Sequence, residues 1–416
     1  MGSSLTNDPE RVARIMLSWH SLELVSCKVL QTLWAGYGHI CAISARATTK
    51  EARDHLSELC RIGVNSEWNT YPLILKLIAP PRTDGENEGH LRKLLSYEVE
   101  QRFYTDVVPL LSDETAVAKC LASTRDVHDE ELGGLMATIM IDLRPKYPVT
   151  TGKRGMLNRR QVYAALDWLA VFHSCSWSLL PDSLDGYVLP PLEEARRRES
   201  EHGGGSGLWL NGGYTYLATR RSEYASLAED TDSEWCEALC TAPEGSELSV
   251  AEMVALFLTP CGRPFETYIH GDVKSENFFM TANGDDVAFF DFQYVGLGLG
   301  VCDLAKLFTC SVPVFILTDE NEPLPEQLTM CDGERKLLEQ YRARLLQDEE
   351  PERYDWEIFK RHWETALVDW CRFQASWGFW GNTEWLEARV RSILSDQGWR
   401  DWLYQSIGRR IGSEQL

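Results

Sequence analysis

The chain has 416 residues, 44% of them apolar and 25% charged, an ordinary balance for a globular protein and long enough for two lobes or domains. Its 41 Lys and Arg against 63 Asp and Glu leave a formal charge of −22, which excludes a general attraction to nucleic-acid phosphate or anionic lipid and favours a cation if a small-molecule partner is charged. The 12 cysteines are scattered without a CxxC pair, so buried thiols in a reducing compartment are expected rather than a zinc framework or a disulfide ladder.

Along the chain, "MGSSLT" fits a myristoylation pattern at Gly2, with a disordered start as the plainer reading. No basic run leads into an apolar signal segment, and no apolar run approaches the ~18 residues of a membrane span, so a cytoplasmic protein is expected. Residues 1–20 hold a plausible helix. Residues 23–34 and 35–48 read as a β-hairpin whose turn contains Gly36 and Gly38. "YPLILKLIAPP" (71–81) is a third strand with one Lys, Lys76, inside an apolar run. A lysine there must meet an anion or snorkel to an edge. A loop at 85–89 leads to a helix over 90–111, where Leu91, Leu94, Leu95, Val99 and Phe103 share a face. Residues 116–124 and 133–143 complete five strands.

After Asp142 the pattern becomes helical. Residues 159–179 form an amphipathic helix, on which His173 reads as a satisfied core histidine. The charged and Gly-rich stretch 193–207 reads as an insertion or mobile loop. A helix is expected over 245–260, two strand-like runs over 265–273 and 285–296, and Trp-rich helices from 332 onward. This sets an α+β class, with residues 1–143 as an N-terminal lobe of five antiparallel strands plus a helix, and 144–416 as a mainly helical C-terminal lobe.

"YIHGDVKSENFF" (268–279) carries the chemistry. Asp272 and Asn277 lie in a loop and Asp291 ends the run "VAFFD", with a hairpin turn at Asn283–Gly284 between them. Hard oxygens so placed suit Mg²⁺, and a carboxylate left free of metal could take a proton from a hydroxyl. The plainer reading is a loop of capping Asp and Asn residues.

"HGDVKSEN" followed by "AFFDFQ" resembles the catalytic and metal-binding segments of the protein-kinase-like fold. More narrowly it is similar to the aminoglycoside phosphotransferase and choline kinase branch, including its ecdysteroid-kinase-like members. "GYGHI", "LILK", "YEVEQRFY", "IMIDL", "DWLAVFH" and "GLGLGVCDLAKLF" fall in that branch's order. The resemblance implies an ATP- and Mg²⁺-dependent kinase acting on a small-molecule hydroxyl, with Asp272 as catalytic base and Asn277 and Asp291 on the metal. It implies Lys76 on the nucleotide phosphates, paired with Glu98 or, by its placement, Glu100. Gly36 and Gly38 would cover the phosphates, although the full G-x-G-x-x-G pattern is absent, and backbone near Asp142 would meet adenine. His270 would support the loop and Asp303 brace it. Lys274, at a position where protein kinases commonly carry Lys, would neutralise the transferred phosphate. Trp370, Trp377, Trp380 and Trp385 fall in the acceptor region, and Trp377 and Trp380 are singled out as faces for a cationic or amine-bearing alcohol, the others as core. Two rivals remain. A protein kinase is disfavoured by HGD, by Asp-Phe-Gln and by the lack of an A-P-E segment after Asp291. A non-catalytic nucleotide-binding scaffold is disfavoured by the joint presence of Lys76, Asp272, Asn277 and Asp291.

Overall fold

Period-two burial organises the first of the two compact units into which the chain divides, Met1–Leu111 with Ala116–Pro148. The computed structural model describes residues 8–60, 70–81, 87–127, 129–200, 204–205, 207–318 and 323–414. Gly2 with its lipidation motif, part of the 85–89 loop and part of the Gly-rich run at 201–206 lie outside those residues. Strands β1 (Leu22–Thr32), β2 (Gly38–Ala47), β3 (Thr70–Ile78), β4 (Cys120–Ser123) and β5 (Met136–Ile141) form one five-stranded sheet in the order β1-β2-β3-β5-β4. Every pairing in it is antiparallel.

Leu73, Leu75 and Leu77 send alternate side chains into a core shared with Cys41, Ile43 and Ala45 of β2. Helix α1 (Pro9–Ser18) closes that face with Val12, Ala13, Met16 and Leu17. Asp8 caps α1 by accepting from the amides of Glu10 and Arg11, with Pro9 in the first turn. A second helix on this face, α2 (Lys50–Cys60), was not foreseen from sequence; Ala52 and Leu56 are its only buried residues, too few to register as a stripe. Lys76 and Ile78 point to the opposite face, where α3 (Glu88–Arg102) lies. The predicted 90–111 helix is helical through Leu110, but its regular α-turns end at Arg102; it widens into a π-turn at Phe103–Val107 and closes in a 3₁₀ turn at Val108–Leu110 that holds Pro109.

The second unit, Ser112–Thr115 with Val149–Leu416, is mainly helical. Its first helix, α4 (Arg159–Ser176), starts at a capping box of Asn158 and Gln161. The stretch read as a mobile loop begins instead with helix α5 (Pro191–Glu199). Pro191 sits in the first turn, Glu193 and Glu194 at the positive end and Arg196, Arg197 and Arg198 at the negative end, and buried Glu194 pairs with Arg197 and Arg198. Helices α6 (Arg221–Glu229), α7 (Glu234–Cys240) and α8 (Val250–Leu258) follow; the first two are short and escaped the sequence reading.

Four short strands then frame the loop of interest. β6 (Glu266–Ile269) pairs with β9 (Gly296–Leu299), and β7 (Phe278–Met280) with β8 (Val287–Phe289), all antiparallel. The β7–β8 connection holds the Asn283–Gly284 turn. The remaining helices are α9 (Val301–Cys310), α10 (Val314–Leu317), α11 (Asp332–Leu345), α12 (Trp356–Trp377), α13 (Thr383–Ser395) and α14 (Gln397–Glu414). α12 packs against α6, α8, α9 and α13 and buries Phe359, Trp363, Leu367, Trp370 and Phe373. Among the described residues no helix is long and apolar enough to cross a membrane.

Candidate active site

In the first unit the residues picked from sequence fall into three places. Lys76 Nζ donates to Glu100 Oε2 at 2.5 Å, and the two residues are 8% and 4% exposed. Of the two glutamates weighed, Glu100 is thus in contact with the lysine. The lysine also lies over the Tyr97 ring, 5.6 Å from its centroid. The adjoining void, about 10 Å³, holds no more than one water. Gly36 lies in the β1–β2 connection and Gly38 opens β2, and the turn is closed by Leu33 N donating to Gly38 O at 2.8 Å. Gly38 has φ +142, and a Cβ there would lie 2.0 Å from Leu77 O, so the sheet pairing itself demands glycine. Lys93 stacks its ammonium 3.9 Å over Trp34 and 4.6 Å over Tyr37 on this turn. Asp142 follows β5. Its amide reaches Pro72 O at 3.4 Å, and its carboxylate is clamped by Arg144 Nε and the Arg144 terminal nitrogen at 2.9 and 2.6 Å.

In the second unit the loop from 270 to 277 is tied down at nearly every residue. Asp303, fully buried on α9, accepts from His270 N through Oδ2 at 2.7 Å and from Gly271 N through Oδ1 at 2.9 Å. His173 Nε2 approaches the same Oδ2 at 3.3 Å, while His173 Nδ1 meets the Tyr341 hydroxyl at 2.6 Å. Both ring bonds are made with a proton on Nε2 and a lone pair on Nδ1. Burial alone raises the Asp303 pKa, but the hydrogen bond from His173 and the field of nearby groups, Lys306 among them, carry it net below the ordinary carboxylate range. Sequence marked Asp303. It gave no sign that His173 and Tyr341 join it, since that contact links α4, α9 and α11 across 130 and 168 residues.

His270 works in the opposite sense. Its Nε2–H donates to Phe290 O at 3.0 Å and its Nδ1 accepts from Asp272 N at 3.3 Å. Complete burial lowers its pKa against the pull of Asp303, so the ring is neutral and holds the backbone on either side of it. Gly271 has φ +83, and a Cβ would lie 2.4 Å from Tyr294 O and 2.6 Å from Gly213 N. No other residue fits there without moving two segments.

These ties present three polar side chains together. Asp272 Oδ2 accepts from Lys274 Nζ and from Asn277 Nδ2, both at 2.9 Å, and Asn277 Nδ2 also donates to Asp272 O at 2.8 Å. Asp272 Oδ1 and Asn277 Oδ1 accept no hydrogen bond from the described residues. Phe290 N donates to Asn277 O at 2.9 Å, and this bond with the His270 contact seats the next residue, Asp291, beside the loop. Asp291 has φ +67, uncommon for a residue with a side chain, and accepts from Gln293 Nε2 at 2.7 Å. Burial disfavours the Lys274 charge, but Asp272, Asp291 and Glu276 outweigh it and hold its pKa above the usual lysine value. Among the described residues no three His, Cys, Asp or Glu side chains gather into a self-sufficient metal cluster. Two or three hard oxygens are what remain, the kind of set Mg²⁺ shares with phosphate and water.

The aromatic residues expected around an acceptor form one chain from this loop. Tyr214 packs on Tyr294 at 4.8 Å and on Phe373 at 6.0 Å, and Phe373 meets Trp377 and Trp380 at 6.1 and 5.9 Å. Burial first, then the Asp272 charge, push the Tyr214 hydroxyl well above its usual pKa. Trp377 is exposed, but its ring already faces a cation, the buried Arg220 guanidinium at 5.0 Å. The same guanidinium covers Tyr214 and Phe373, and Lys306 lies 5.9 Å from the Trp370 centroid. Trp380 stands edge-on to Trp370 at 5.5 Å.

Several solved structures share a distant likeness. A choline kinase from Cryptosporidium parvum is 12% identical with TM-score 0.42, covering 98% of this chain and 96% of its own. Choline kinase LicA from Streptococcus pneumoniae is 13% identical with TM-score 0.36, over 92% and 97%. A macrolide 2'-phosphotransferase from Brachybacterium faecium is 12% identical with TM-score 0.41, over 91% and 96%. Likeness at that level says nothing of substrate. Among curated proteins none matches this chain. The model of the ecdysteroid kinase-like family matches residues 52–326, a span that contains Lys76, Glu100, the braced loop at 270–277, Asp291 and Asp303, and the chain belongs to that family.

Proposed function

We propose that the chain transfers the γ-phosphoryl group of ATP, with Mg²⁺, to a hydroxyl of a small molecule. The observation that carries this reading is the asymmetry of Asp272: Lys274 and Asn277 fix one carboxylate oxygen, and the other takes no hydrogen bond from the described residues. A carboxylate held in that way suits one task, accepting the proton of an acceptor hydroxyl as it becomes a nucleophile. Mg·ATP supplies the phosphoryl group and the charge that must be neutralised. Asn277 Oδ1 and Asp291 offer hard oxygens to the metal, and Lys274, kept charged by its neighbours, offsets negative charge beside Asp272. In the other unit Lys76, oriented by Glu100, would serve the nucleotide phosphates, with the Gly36–Gly38 turn and the backbone near Asp142 as further nucleotide contacts. A cytoplasmic setting fits the 12 cysteines, all free thiols, of which burial raises Cys41, Cys120 and Cys302 to about 12.

The acceptor is less simply an ammonium alcohol than the tryptophans suggest. Arg220 occupies the Trp377 face and Lys306 approaches Trp370, so an acceptor cation at either place must compete with a charge of the protein. The test is formation of ADP from ATP, with the γ-phosphoryl group recovered on the acceptor, over a panel of amino alcohols, sterols, sugars and aminoglycosides. Asp272→Asn should lower transfer by about 10²–10⁴-fold while the thermal shift given by Mg·AMP-PNP persists. Undiminished transfer in that variant, or transfer to protein substrates alone, would refute the assignment.

A further inference from the structure

One cavity of the second unit has no part in the chemistry above. It measures about 130 Å³, roughly the room that a six-membered ring fills, and its walls include Asn211, Leu256, Leu258, Ile269, Lys306 and Asp369. Lys306 is the unexplained group. It is 5% exposed, yet among the described residues its ammonium donates no hydrogen bond and forms no ion pair within 4 Å; it lies 5.9 Å from the Trp370 ring centroid. Three N–H donors on a buried charge need acceptors, and an uncompensated one is costly.

The two nearby carboxylates are directed elsewhere. Asp303 lends the ammonium a favourable field, but its oxygens take the His270 and Gly271 amides. Asp369 lines the cavity and gives Oδ1 to fully buried Arg372 at 2.8 and 3.1 Å. The ammonium also borders the catalytic loop. A Cβ placed on Gly213 would lie 3.3 Å from Lys306 Nζ and 3.4 Å from Gly271 O.

We propose that this cavity binds a small oxyanion, a carboxylate or phosphate group, on Lys306, with any attached carbon chain against Ile269, Leu256 and Leu258. On the phosphotransferase reading the group is either the acid end of the acceptor or a free anion that acts on the neighbouring loop. A compact ammonium with a fixed apolar wall suits an oxyanion better than a second cation.

The experiment is a thermal-shift titration of the full chain with sodium butyrate and with sodium phosphate, at ionic strength matched by chloride. A saturable rise in melting temperature is expected, with its midpoint moved at least about tenfold higher in Lys306→Met and in Lys306→Gln. Lys306→Met keeps the stem and removes the charge, so the free variant should melt no lower than the parent. If 4-hydroxybutyrate then takes phosphate from ATP, the oxyanion belongs to the acceptor; if butyrate instead changes the rate of transfer to another alcohol, it is a free anion. No saturable shift beyond chloride, or equal midpoints in parent and variants, overturns the site. Mg·AMP-PNP is titrated in parallel: loss of its shift alone counts against the phosphotransferase reading, and loss of the anion shift alone counts against this cavity.

Discussion

Replacing Asp303 should separate the loop's positioning from its chemistry. The carboxylate touches none of the groups proposed to react, yet it receives the amides of His270 and Gly271 at 2.7 and 2.9 Å and His173 at 3.3 Å. A hydrogen bond to a charged acceptor contributes about 1.5–3 kcal/mol, so Asp303→Ala, which strands two buried amides, should cost about 3–6 kcal/mol. That is a large share of the about 5–15 kcal/mol that holds a domain folded, and only part of the variant should be recovered folded. Asp303→Asn keeps one oxygen and turns an N–H toward another N–H, so about 2–3 kcal/mol is expected, with a lower urea midpoint by tryptophan fluorescence. Because the loop carries Asp272, the folded Asn variant should lose about 100-fold in kcat with little change in nucleotide KM. The pH dependence has a definite sign. The folded carboxyl ionises more readily than the unfolded one, so its contribution is present above the ordinary carboxylate range and is lost as pH falls through the depressed value. Asp303→Asn should remove that part of the acid sensitivity. An Asn variant within about 0.5 kcal/mol of the parent and equally fast would refute the brace.

Gly271→Ala must push a methyl into Tyr294 O and Gly213 N at positive φ; transfer should drop by about 100-fold in a protein that still melts cooperatively, measured by initial rates and calorimetry. Glu100→Ala removes the carboxylate from buried Lys76 and should cost about 3–5 kcal/mol in urea unfolding, whereas Lys76→Met with Glu100→Leu should be near neutral, and both should abolish the AMP-PNP shift. His362 is buried against the Tyr354 hydroxyl at 2.5 Å, and burial with Arg263 nearby lowers its pKa to about 3. Its unfolded form takes up a proton first, so stability should decline as pH falls from about 6.5 toward 3, by an amount on the order of 4 kcal/mol, and His362→Phe should flatten that slope in urea titrations.

The candidate residues that the structure brings together around the loop could be picked out in the chain itself. Asp272, Asn277 and Asp291 announce themselves because few other needs place a carboxylate, an amide and a second carboxylate around one hairpin. Lys76 stood out as the one charge in an apolar strand, and the strands were visible through their alternation. Glu194 and its two arginines were not, because a charged run beside glycines looks like solvent-exposed loop until one acid is seen to be buried. Helices α6 and α7 have too few turns to show a period. His173 could be assigned to the core from its helix face, but its bond to Asp303 joins segments 130 residues apart and nothing local encodes it. Lys306 looks in sequence like any helical lysine; its isolation exists only once α9 packs against α12.

α12 has a consequence for how this scaffold can diversify. Asp369, Trp370, Phe373 and Trp377 all hang from that one helix, facing the cavity and the aromatic chain that leads to Tyr214. The loop holding Asp272 hangs from α4, α9 and β8 instead. On the proposed reading, the α12 residues lie apart from the loop that holds Asp272, and α9, with Asp303 on the loop and Lys306 on the cavity, is the helix that touches both. On the proposed function, drift along one face of α12 would change what meets the acceptor while Asp272 and its anchors stay where they are.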